Sequence, residues 1–349
     1  MGNKVLHIAG CDKFIPPFVE FVRRNFEFSQ HEFLLTNGMG EKELKTAYNV
    51  RLAKRTASDR LKHYGQAIVK MHQADKVILH GLFDIQLVAL LFFMPWLLKK
   101  CYWLVWGGDL YVHQLGEKNW QWKRKEFFRR KVIRNMGAIV TSIEGDYANI
   151  VAWYQARGKW LKLFTYPSSL YVPCDKKEAQ GSECLNILVG NSADPTNQHV
   201  RVFEKLKNNI PEKAKVYVPL SYGDEAYRKK VLEKGEELLG EQFLPLINFL
   251  PLDEYNAFLN TIDVAVFAHK RQQALSNIRT LLGMGKKVYM NPDSSAYGYL
   301  TSFGLVIFDF NSLGVMSVGF DFSDQNSEII EKVFSESKLI SNLERLFNE

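Results

Sequence analysis

Short apolar runs alternate with longer amphipathic segments along most of this chain. Short apolar runs are typical of strands buried on both faces, and the segments between them are long enough for crossover helices. The alternation predicts an α/β fold in which parallel, doubly wound sheets are covered by helices on both sides. The predicted strands are Val5–Ala9, Phe33–Leu35, Val77–Leu79, Tyr102–Val105, Ile139–Thr141, Leu163–Tyr166, Ile187–Val189, Val216–Pro219, Ile247–Leu250, Val264–Ala268, Val288–Met290 and Val306–Phe308.

The pattern restarts near residue 185, after a polar stretch that contains proline and glycine. We therefore expect an N-terminal Rossmann-like domain over 1–172, a linker over 173–184 and a C-terminal Rossmann-like domain over 185–325. Residues 326–349 are expected to form a C-terminal helix, and its packing back onto the first domain is left open. Doubly wound sheets bind ligands at the carboxyl ends of their strands, so two facing domains would form a cleft there.

A polar turn follows the predicted strand Ile187–Val189. Gly190, Asn191 and Ser192 come directly after the strand. Asn197 precedes apolar residues at helical spacing, so we expect it to cap a helix. Unpaired backbone N–H groups at such a junction, together with the helix dipole, attract phosphate. The alternative is an ordinary loop that leads into a well-capped helix.

A second polar cluster follows the predicted strand Val264–Ala268 and opens the next predicted helix. Arg271 offers a planar guanidinium to phosphate oxygens. Gln272, Gln273 and Asn277 can donate hydrogen bonds to phosphate or to sugar hydroxyls. The alternative is a solvated surface loop.

Composition places the chain among folded soluble proteins, with 46% hydrophobic and 24% charged residues. The four cysteines have no zinc-like spacing and are expected to be reduced thiols. The net charge of +7 is uneven, because residues 1–170 carry 26 Lys and Arg against 14 Asp and Glu. This basic half is expected to meet an anionic partner, either nucleic acid or an acidic membrane surface.

The segment Trp120–Arg134 mixes aromatic residues with seven cations. A helix of this kind suits the headgroup region of an anionic membrane. The alternative is a surface helix whose aromatic residues face the core. The apolar stretch Ile85–Leu98 is too short to span a bilayer, so we expect a buried helix there, with partial insertion into one leaflet as the alternative.

Several landmarks together resemble glycosyltransferase family 56, whose type member is a TDP-N-acetylfucosamine:lipid II N-acetylfucosaminyltransferase. They follow the family's order over about residues 75–291. The landmarks are His80-Gly81, Trp106-Gly107-Gly108-Asp109-Leu110-Tyr111, Gly190-Asn191-Ser192 with Asp194, Asn197 and His199, Val218-Pro219-Leu220-Ser221-Tyr222, and Arg271-Gln272-Gln273.

The resemblance implies a GT-B fold and the transfer of a sugar from a nucleoside diphosphate, TDP in this family, to a polyprenyl-pyrophosphate-linked saccharide. In the family this is a step in the synthesis of enterobacterial common antigen, at the cytoplasmic face of the bacterial inner membrane. The implied partners are therefore the nucleotide sugar, the lipid-linked saccharide and an anionic membrane surface, without nucleic acid.

The donor base is expected against Phe249 and Leu250 by analogy with the fold, with Ser221 and Tyr222 also in the donor site. One segment departs from the family pattern. The chain has Ala274-Leu275-Ser276 where a glycine-containing step is expected, which leaves the donor sugar open.

The acceptor hydroxyl needs a base if the displacement is direct, and the N-terminal domain offers two candidates. Asp109 follows a predicted strand, and Trp106 and Tyr111 are placed to pack against sugar rings and to raise the pKa of Asp109 by desolvation. The alternative for Asp109 is to cap a helix that begins at Leu110. His80 is the second candidate, with a purely structural role as its alternative.

No metal and no cofactor are expected, because the sequence contains no Asp-x-Asp motif and no cluster of His and Cys. The leaving nucleoside diphosphate would be stabilised by two helix N-termini, at Gly190–Asn197 and Arg271–Asn277, and by the Arg271 guanidinium.

Two other functions remain open at this point. One is a soluble nucleotide-sugar 2-epimerase of the same two-domain architecture, against which the basic aromatic helix argues. The other is a non-enzymatic protein that binds nucleic acid or another anionic polymer through its basic half. Such a protein would not need the two polar turns of the second domain.

Overall fold

The computed structural model describes residues 3–38, 40–45, 47–54, 56–115, 117–171, 184–316 and 323–349. The chain forms two compact units, of which the first comprises Met1–Leu170 with Glu336–Glu349 and the second Tyr171–Ser335. Most of the predicted linker, 173–183, lies outside the described residues.

The first unit is built on a parallel sheet of seven strands. Its strands are β1 (Val5–Gly10), β2 (His31–Thr36), β3 (Val50–Leu52), β4 (Lys76–His80), β5 (Cys101–Leu104), β6 (Ala138–Val140) and β7 (Lys159–Leu161). They lie in the order β3-β2-β1-β4-β5-β6-β7. In the central pair, Val5 lies beside Lys76 and Ala9 beside His80, so the carboxyl ends of β1 and β4 are adjacent.

Helices cover both faces of this sheet, which explains why its strands are apolar on both sides. The helices are α1 (Ile15–Asn25), α2 (Ala57–Gln73), α3 (Ile85–Phe93), α4 (Gly108–Leu115), α5 (Trp120–Arg134), α6 (Glu144–Tyr154) and α13 (Glu336–Asn348). One core contains residues of α2, α3, α5 and α6. The opposite core contains residues of α1 and the C-terminal α13.

The C-terminal helix α13 is fixed to the sheet of the first unit by burial and by a buried lysine. Leu339, Leu343 and Leu346 are fully buried in the core that α1 shares. Lys76 Nζ donates hydrogen bonds to the carbonyl oxygens of Leu346, at 2.6 Å, and of Phe347, at 3.1 Å. A cation at the carboxyl end of a helix satisfies carbonyls that have no partner within the helix and complements its dipole.

The second unit is built on a parallel sheet of six strands. They are β8 (Asn186–Val189), β9 (Lys215–Pro219), β10 (Phe243–Leu246), β11 (Val264–Phe267), β12 (Lys287–Met290) and β13 (Phe308–Asp309), in the order β10-β9-β8-β11-β12-β13. The helices are α7 (His199–Leu206), α8 (Glu225–Leu239), α9 (Leu252–Asn260), α10 (Leu275–Gly283), α11 (Ser295–Thr301) and α12 (Ser323–Val333). The two central strands, β8 and β11, carry the two polar turns at their carboxyl ends.

Most predicted strands are confirmed, and two are wrong. The apolar run Leu163–Tyr166 is not a strand, because the chain turns at Leu163, whose N–H bonds to the carbonyl of Leu161 at the end of β7. The run Ile247–Leu250 is the loop after β10. Pro245 argues against a strand at β10 in the sequence. A proline is tolerated there because β10 lies at the edge of the sheet.

Other elements also differ from expectation. The short strands β3 and β7 have no predicted counterpart, and β13 overlaps its predicted run only at Phe308. The expected C-terminal helix over 326–349 is instead two helices, with α12 in the second unit and α13 in the first. The apolar stretch Ile85–Leu98 is helical only to Phe93, because Pro95 opens a short 3-10 turn. No helix among the described residues combines the length and hydrophobicity needed to cross a bilayer.

Candidate functional site

The turn after β8 depends on a glycine. Gly190 has φ of +68°, in the region that favours glycine. A Cβ atom at this position would lie 2.6 Å from Asn197 Oδ1 and 2.7 Å from His199 Nε2, so no side chain fits. Ser192 follows in the same turn and is buried. The sequence therefore correctly placed a tight turn at the carboxyl end of a central strand.

Asn197 does not cap a helix as predicted. Helix α7 begins two residues later, and its N-cap is Gln198, which has a left-handed backbone. The Asn197 side chain points into the turn, where its Oδ1 accepts hydrogen bonds from the Asn191 N–H, at 3.0 Å, and from His269 Nε2, at 2.9 Å. Because Asn197 is only 1% exposed, its role is to shape the loops after β8 and β11.

Three buried polar atoms in these loops have no hydrogen-bond partner among the described residues. They are Asn191 Oδ1, His199 Nε2 and Gln273 Nε2. The other end of the Gln273 amide is held, because its Oε1 accepts a hydrogen bond from Thr196 Oγ1 at 2.9 Å. A buried polar atom without a partner costs about 1–3 kcal/mol, and native proteins contain few of them. Their concentration here favours a binding site over an ordinary loop.

Arg271 is held in place by a carboxylate. Its Nη2 donates to Asp194 Oδ2 at 2.9 Å, and its Nη1 donates to the Gln272 carbonyl at 3.2 Å. Burial acts to raise the pKa of Asp194, but hydrogen bonds from Thr196 and the Arg271 charge outweigh it and lower the pKa. A guanidinium has five N–H groups, so after these two hydrogen bonds it retains donors for a second anion. The Gln272 side chain is half-buried beside it.

The segment that leads into α10 contains a strained residue. Ala274 has φ of +56° and is the N-cap of the helix. A glycine adopts this conformation at no cost, so the expected glycine is missing at a position that suits it. Asn277 lies in the first turn of α10, where its Nδ2 donates to Tyr255 Oη at 2.9 Å. Asn277 is therefore oriented by α9.

The loops after β9 and β10 add aromatic surfaces to the same edge of the sheet. Tyr222 is 40% exposed, and its hydroxyl accepts a hydrogen bond from Asn191 Nδ2 at 3.0 Å. Phe249 is 65% exposed in the loop that follows β10. Ser221 and Leu250 are half-buried beside them. The structure therefore places all the predicted donor-site residues in the loops and helix start at the carboxyl edge of the second sheet.

The Asp109 carboxylate is fully engaged in hydrogen bonds within the first unit. Its Oδ2 accepts hydrogen bonds from the Leu82 N–H, at 2.9 Å, and from Trp103 Nε1, at 2.7 Å. Its Oδ1 accepts one from the Trp106 N–H at 3.0 Å. Burial raises the pKa of Asp109, while these hydrogen bonds and the Arg129 charge act to lower it. Because Asp109 is only 1% exposed and already accepts three hydrogen bonds, the geometry favours a positioning role over that of the base.

The predicted cap at Asp109 is also displaced, because α4 begins at Gly108 and Asp109 is its second residue. Tyr111 cannot pack against a sugar ring from this position. It is 5% exposed, and its hydroxyl donates to Asp146 Oδ1 at 2.8 Å. Trp106, by contrast, is half-buried and lines a cavity of the first unit.

His80 belongs to a buried chain of hydrogen bonds. Trp106 Nε1 donates to Tyr166 Oη at 2.8 Å, and this hydroxyl lies 2.6 Å from His80 Nδ1. His80 Nε2 lies 3.1 Å from His7 Nδ1, and His7 Nε2 lies 3.0 Å from His31 Nδ1. Burial lowers the pKa of His80 from 6.5 to about 3, so the ring is neutral at pH 7.

The direction of this chain follows from its first member, because an indole N–H can only donate. We assign the Tyr166 proton to His80 Nδ1, which places the proton of each neutral imidazole on Nε2. Both nitrogens of His80 are then used. The geometry gives His80 a structural role, which was its alternative.

Sequence reasoning missed Asp12, which lies just beyond the carboxyl end of β1 and lines the same cavity as Trp106. Its position as the first acid after a central strand is the signal that could have identified it. Among the residues that the structure describes, no three His, Cys, Asp or Glu side chains are grouped to hold a metal ion.

Comparison with protein families matches residues 18–301 to the 4-alpha-L-fucosyltransferases, glycosyl transferase group 56. The match covers well over half of the 349 residues. The chain belongs to glycosyltransferase family 56. This membership decides the class of activity in favour of a hexosyltransferase, and against the epimerase and the non-enzymatic alternatives.

Solved structures are similar over nearly the whole chain. WaaG, a glycosyltransferase involved in lipopolysaccharide biosynthesis, is 14% identical over 98% of this chain and 95% of its own, with a TM-score of 0.53. HepE of Anabaena, in complex with UDP-glucose, is 11% identical over 99% and 94%, with a TM-score of 0.61. Sucrose-phosphate synthase from Thermosynechococcus elongatus is 9% identical over 99% and 98%, with a TM-score of 0.66. The two Rossmann-like units have the GT-B fold of these enzymes.

Proposed function

We propose that this family 56 glycosyltransferase moves a deoxy-amino sugar of the N-acetylfucosamine type from a TDP-linked donor to a polyprenyl-pyrophosphate-linked saccharide. The product would enter a bacterial surface polysaccharide such as enterobacterial common antigen. The observation that carries the donor half of this proposal is the anchored guanidinium of Arg271, beside loops in which three buried polar atoms have no partner among the described residues. The similarity to HepE, whose structure contains UDP-glucose, also supports a nucleotide-sugar donor.

The donor diphosphate would lie between Arg271 and the loop after β8. Asp194 orients the guanidinium without burying it, since the Arg271 side chain is 19% exposed. The start of α10 adds backbone N–H groups and the positive end of a helix dipole. Fixed donors of this kind stabilise the charge that develops on a leaving diphosphate, so we propose that the transfer needs no metal.

A thermal-shift panel tests the donor site. We expect TDP to raise the melting temperature of the protein in the presence of EDTA, with UDP and GDP as comparisons, because ligands that bind only the folded state stabilise it. The shifts in melting temperature produced by different TDP-linked sugars then rank the candidate donor sugars. Duplex DNA is included, and no shift is expected from it. The proposal fails if no nucleoside diphosphate shifts the melting temperature, or if a shift requires added magnesium.

Arg271→Ala makes this test specific. Losing a charge-assisted hydrogen bond costs about 1.5–3 kcal/mol, so the variant should bind TDP about 10- to 100-fold more weakly. Arg228→Ala is the matched control, because the Arg228 guanidinium pairs with Glu225 on the surface of α8. Equal TDP affinities for the two variants would contradict the assignment of the diphosphate to Arg271.

The acceptor half of the proposal rests on an aromatic patch beside the basic helix α5. Phe93 on α3 is 69% exposed and Phe127 on α5 is 63% exposed. The two helices pack through Phe92 and Phe128, whose rings are 4.9 Å apart, and Lys131 Nζ lies 4.9 Å from the Phe92 ring. Exposed aromatic rings flanked by cations suit the headgroup region of an anionic leaflet. We propose that this patch binds the cytoplasmic face of the bacterial inner membrane, where a lipid-linked acceptor is presented.

Vesicle sedimentation tests the membrane proposal. The protein should pellet with vesicles that contain phosphatidylglycerol and remain in solution with phosphatidylcholine alone. The double variant Phe93→Ser with Phe127→Ser should partition at least about tenfold more weakly, since burying one Phe contributes about 1.5–3 kcal/mol. Leu61→Ser is the matched control, because Leu61 is 77% exposed on α2. Equal binding of the double variant and the control would exclude the patch as the membrane contact.

A further inference from the structure

A cavity of about 640 Å³ opens in the first unit at the carboxyl ends of its central strands. Its volume lies within the range of about 300–1,000 Å³ that is typical of small-molecule sites. The turns after β1 and β4 form its floor, and α2 and the start of α3 form one side. The described residues that line the cavity all belong to this unit.

The walls of the cavity combine aromatic and polar side chains. Phe83 is 59% exposed and its ring centroid lies 5.9 Å from that of Trp106. On the other side, Tyr64 Oη donates to Asp84 Oδ2 at 2.8 Å, and Arg60 Nη2 donates to Gln86 Oε1 at 2.8 Å. The electron-rich faces of aromatic rings attract the weakly positive C–H groups of a sugar ring. Fixed carboxylate, amide and guanidinium groups match sugar hydroxyls.

Trp106 is held rigidly in this wall. The buried chain of Tyr166 and three histidines accepts its indole N–H, and the Asp109 carboxylate accepts its backbone N–H. Both N–H groups of the residue are therefore fixed before any substrate binds. Preorganised aromatic walls lower the entropy cost of binding a flexible saccharide.

Asp12 is the one carboxylate of this cavity to which no described residue donates a hydrogen bond. Its Oδ1 is buried without a partner. Asp84, in contrast, is occupied by Tyr64 and by the N–H groups that it caps at the start of α3. The cavity also contains His63, which is 1% exposed and whose Nδ1 has no partner in the described parts of the chain.

The backbone at Asp12 is fixed although its side chain is not paired. The Asp12 N–H donates to the Gly10 carbonyl at 2.7 Å, and the Asp12 carbonyl accepts from the Ile15 N–H at 3.0 Å. The loop that follows β2 packs against it so closely that a Cβ atom on Gly40 would lie 2.6 Å from the Asp12 carbonyl oxygen. A rigid backbone beneath an unpaired carboxylate is the arrangement expected of a positioned base.

We infer that this cavity binds the acceptor saccharide and that Asp12 is the catalytic base of the transfer, an inference that rests on the proposed function. Asp12 Oδ1 takes the proton of the attacking acceptor hydroxyl. The hydroxyl oxygen forms the new bond to the anomeric carbon of the donor sugar. The bond from that carbon to the phosphate oxygen breaks, and its electron pair leaves with the nucleoside diphosphate.

Asp12→Asn tests the base, with Asp75→Asn as the matched control. Asp75 is exposed and lies at the opposite, amino end of β4. The probe reaction is the slow hydrolysis of TDP-N-acetylfucosamine, in which water replaces the acceptor hydroxyl. We expect Asp12→Asn to lower its rate about 10²- to 10⁴-fold, as for the loss of a general base, and to leave TDP affinity unchanged. The control Asp75→Asn should keep the native hydrolysis rate and the native TDP affinity.

Formate rescue separates chemistry from folding. Asp12→Ala should regain part of its hydrolysis rate with added formate, which is small enough to fill the place of the missing carboxylate. A hydrolysis rate like that of the native protein in Asp12→Asn, with TDP binding intact, would overturn the base while leaving the donor site standing.

Phe83→Ala tests the pocket independently of the base. The probe is a farnesyl-pyrophosphate-linked N-acetylhexosamine disaccharide as acceptor. Because Phe83 is largely exposed, its removal should not unfold the protein, and we expect KM for this acceptor to rise about tenfold with little change in kcat. An unchanged KM would overturn the assignment of the cavity to the acceptor.

Discussion

At Asp109, two backbone N–H groups from the turns after β4 and β5 and the indole N–H of Trp103 in β5 converge on one buried carboxylate. An asparagine in its place would present an NH2 group to at least one of these donors. We expect Asp109→Asn to lower the free energy of unfolding by about 1–3 kcal/mol, the cost of a buried donor left without a partner. Urea unfolding followed by fluorescence measures this. If Asp109→Asn kept native stability but lost transfer activity, Asp109 would again be the candidate for the base.

Ala274 and Gly190 form a pair of opposite tests, because both have positive φ and only one is a glycine. Left-handed backbone costs a non-glycine residue about 1–2 kcal/mol, and the entropy that a glycine adds to the unfolded chain offsets part of that. Ala274→Gly should therefore stabilise the protein by about 0.5–1 kcal/mol. Gly190→Ala should destabilise it by more than that, since its Cβ would clash with Asn197 Oδ1. Equal and small effects on thermal unfolding would refute the strain at Ala274.

At the scale of an element, α13 offers a direct comparison between a buried and an exposed lysine. Lys76 is 5% exposed and donates to two carbonyls at the end of the helix, whereas Lys159 forms an exposed ion pair with Glu349. We expect Lys76→Met to speed hydrogen exchange across 336–349 and to cost about 1–3 kcal/mol. Lys159→Met should cost less than about 1 kcal/mol. The capping role is wrong if exchange in α13 is unchanged by Lys76→Met.

Element boundaries show which parts of the fold the sequence could predict. Buried central strands such as β1 and β8 are continuous apolar runs, so they were found within a residue or two. The edge strands β3, β7 and β10 were missed, because an edge strand needs no continuous apolar run and, in β10, tolerates Pro245. The run Leu163–Tyr166 was misassigned because its apolar side chains pack beneath helices without joining the sheet.

At the scale of the whole molecule, the alternation of strands and helices predicted the two Rossmann-like units. It also predicted that the turns after β8 and β11 would lie at one edge of a sheet. The pattern could not predict which polar side chains would remain unpaired there. Asp109 and Asp12 both follow strands in the sequence, but only the structure distinguishes a carboxylate with three donors from one with none.

Five of the six buried histidines, drawn from both units, give the protein a common response to acid. Burial lowers the pKa of His31 from 6.5 to about 4, and of His80, His199 and His269 from 6.5 to about 3. Burial, with the neighbouring His31 and His80, also lowers the pKa of His7 well below 6.5. All five are neutral in the folded protein at pH 5, whereas the same residues in the unfolded chain are protonated.

The unfolded chain therefore binds more protons below pH 6.5, and the free energy of unfolding must fall as pH falls from 6.5 toward each folded pKa. Each histidine contributes a slope of up to about 1.4 kcal/mol per pH unit in this window. Asp109 acts with the opposite sign, because burial raises its pKa, but it is one group against five. Urea titrations at pH 7, 6 and 5 measure the slope. His31→Gln, whose amide oxygen can still accept from His7 Nε2, should lower the slope between pH 6 and 5 by about 1.4 kcal/mol per unit. Parallel stability profiles for the variant and the native protein would show that His31 does not titrate as its burial requires.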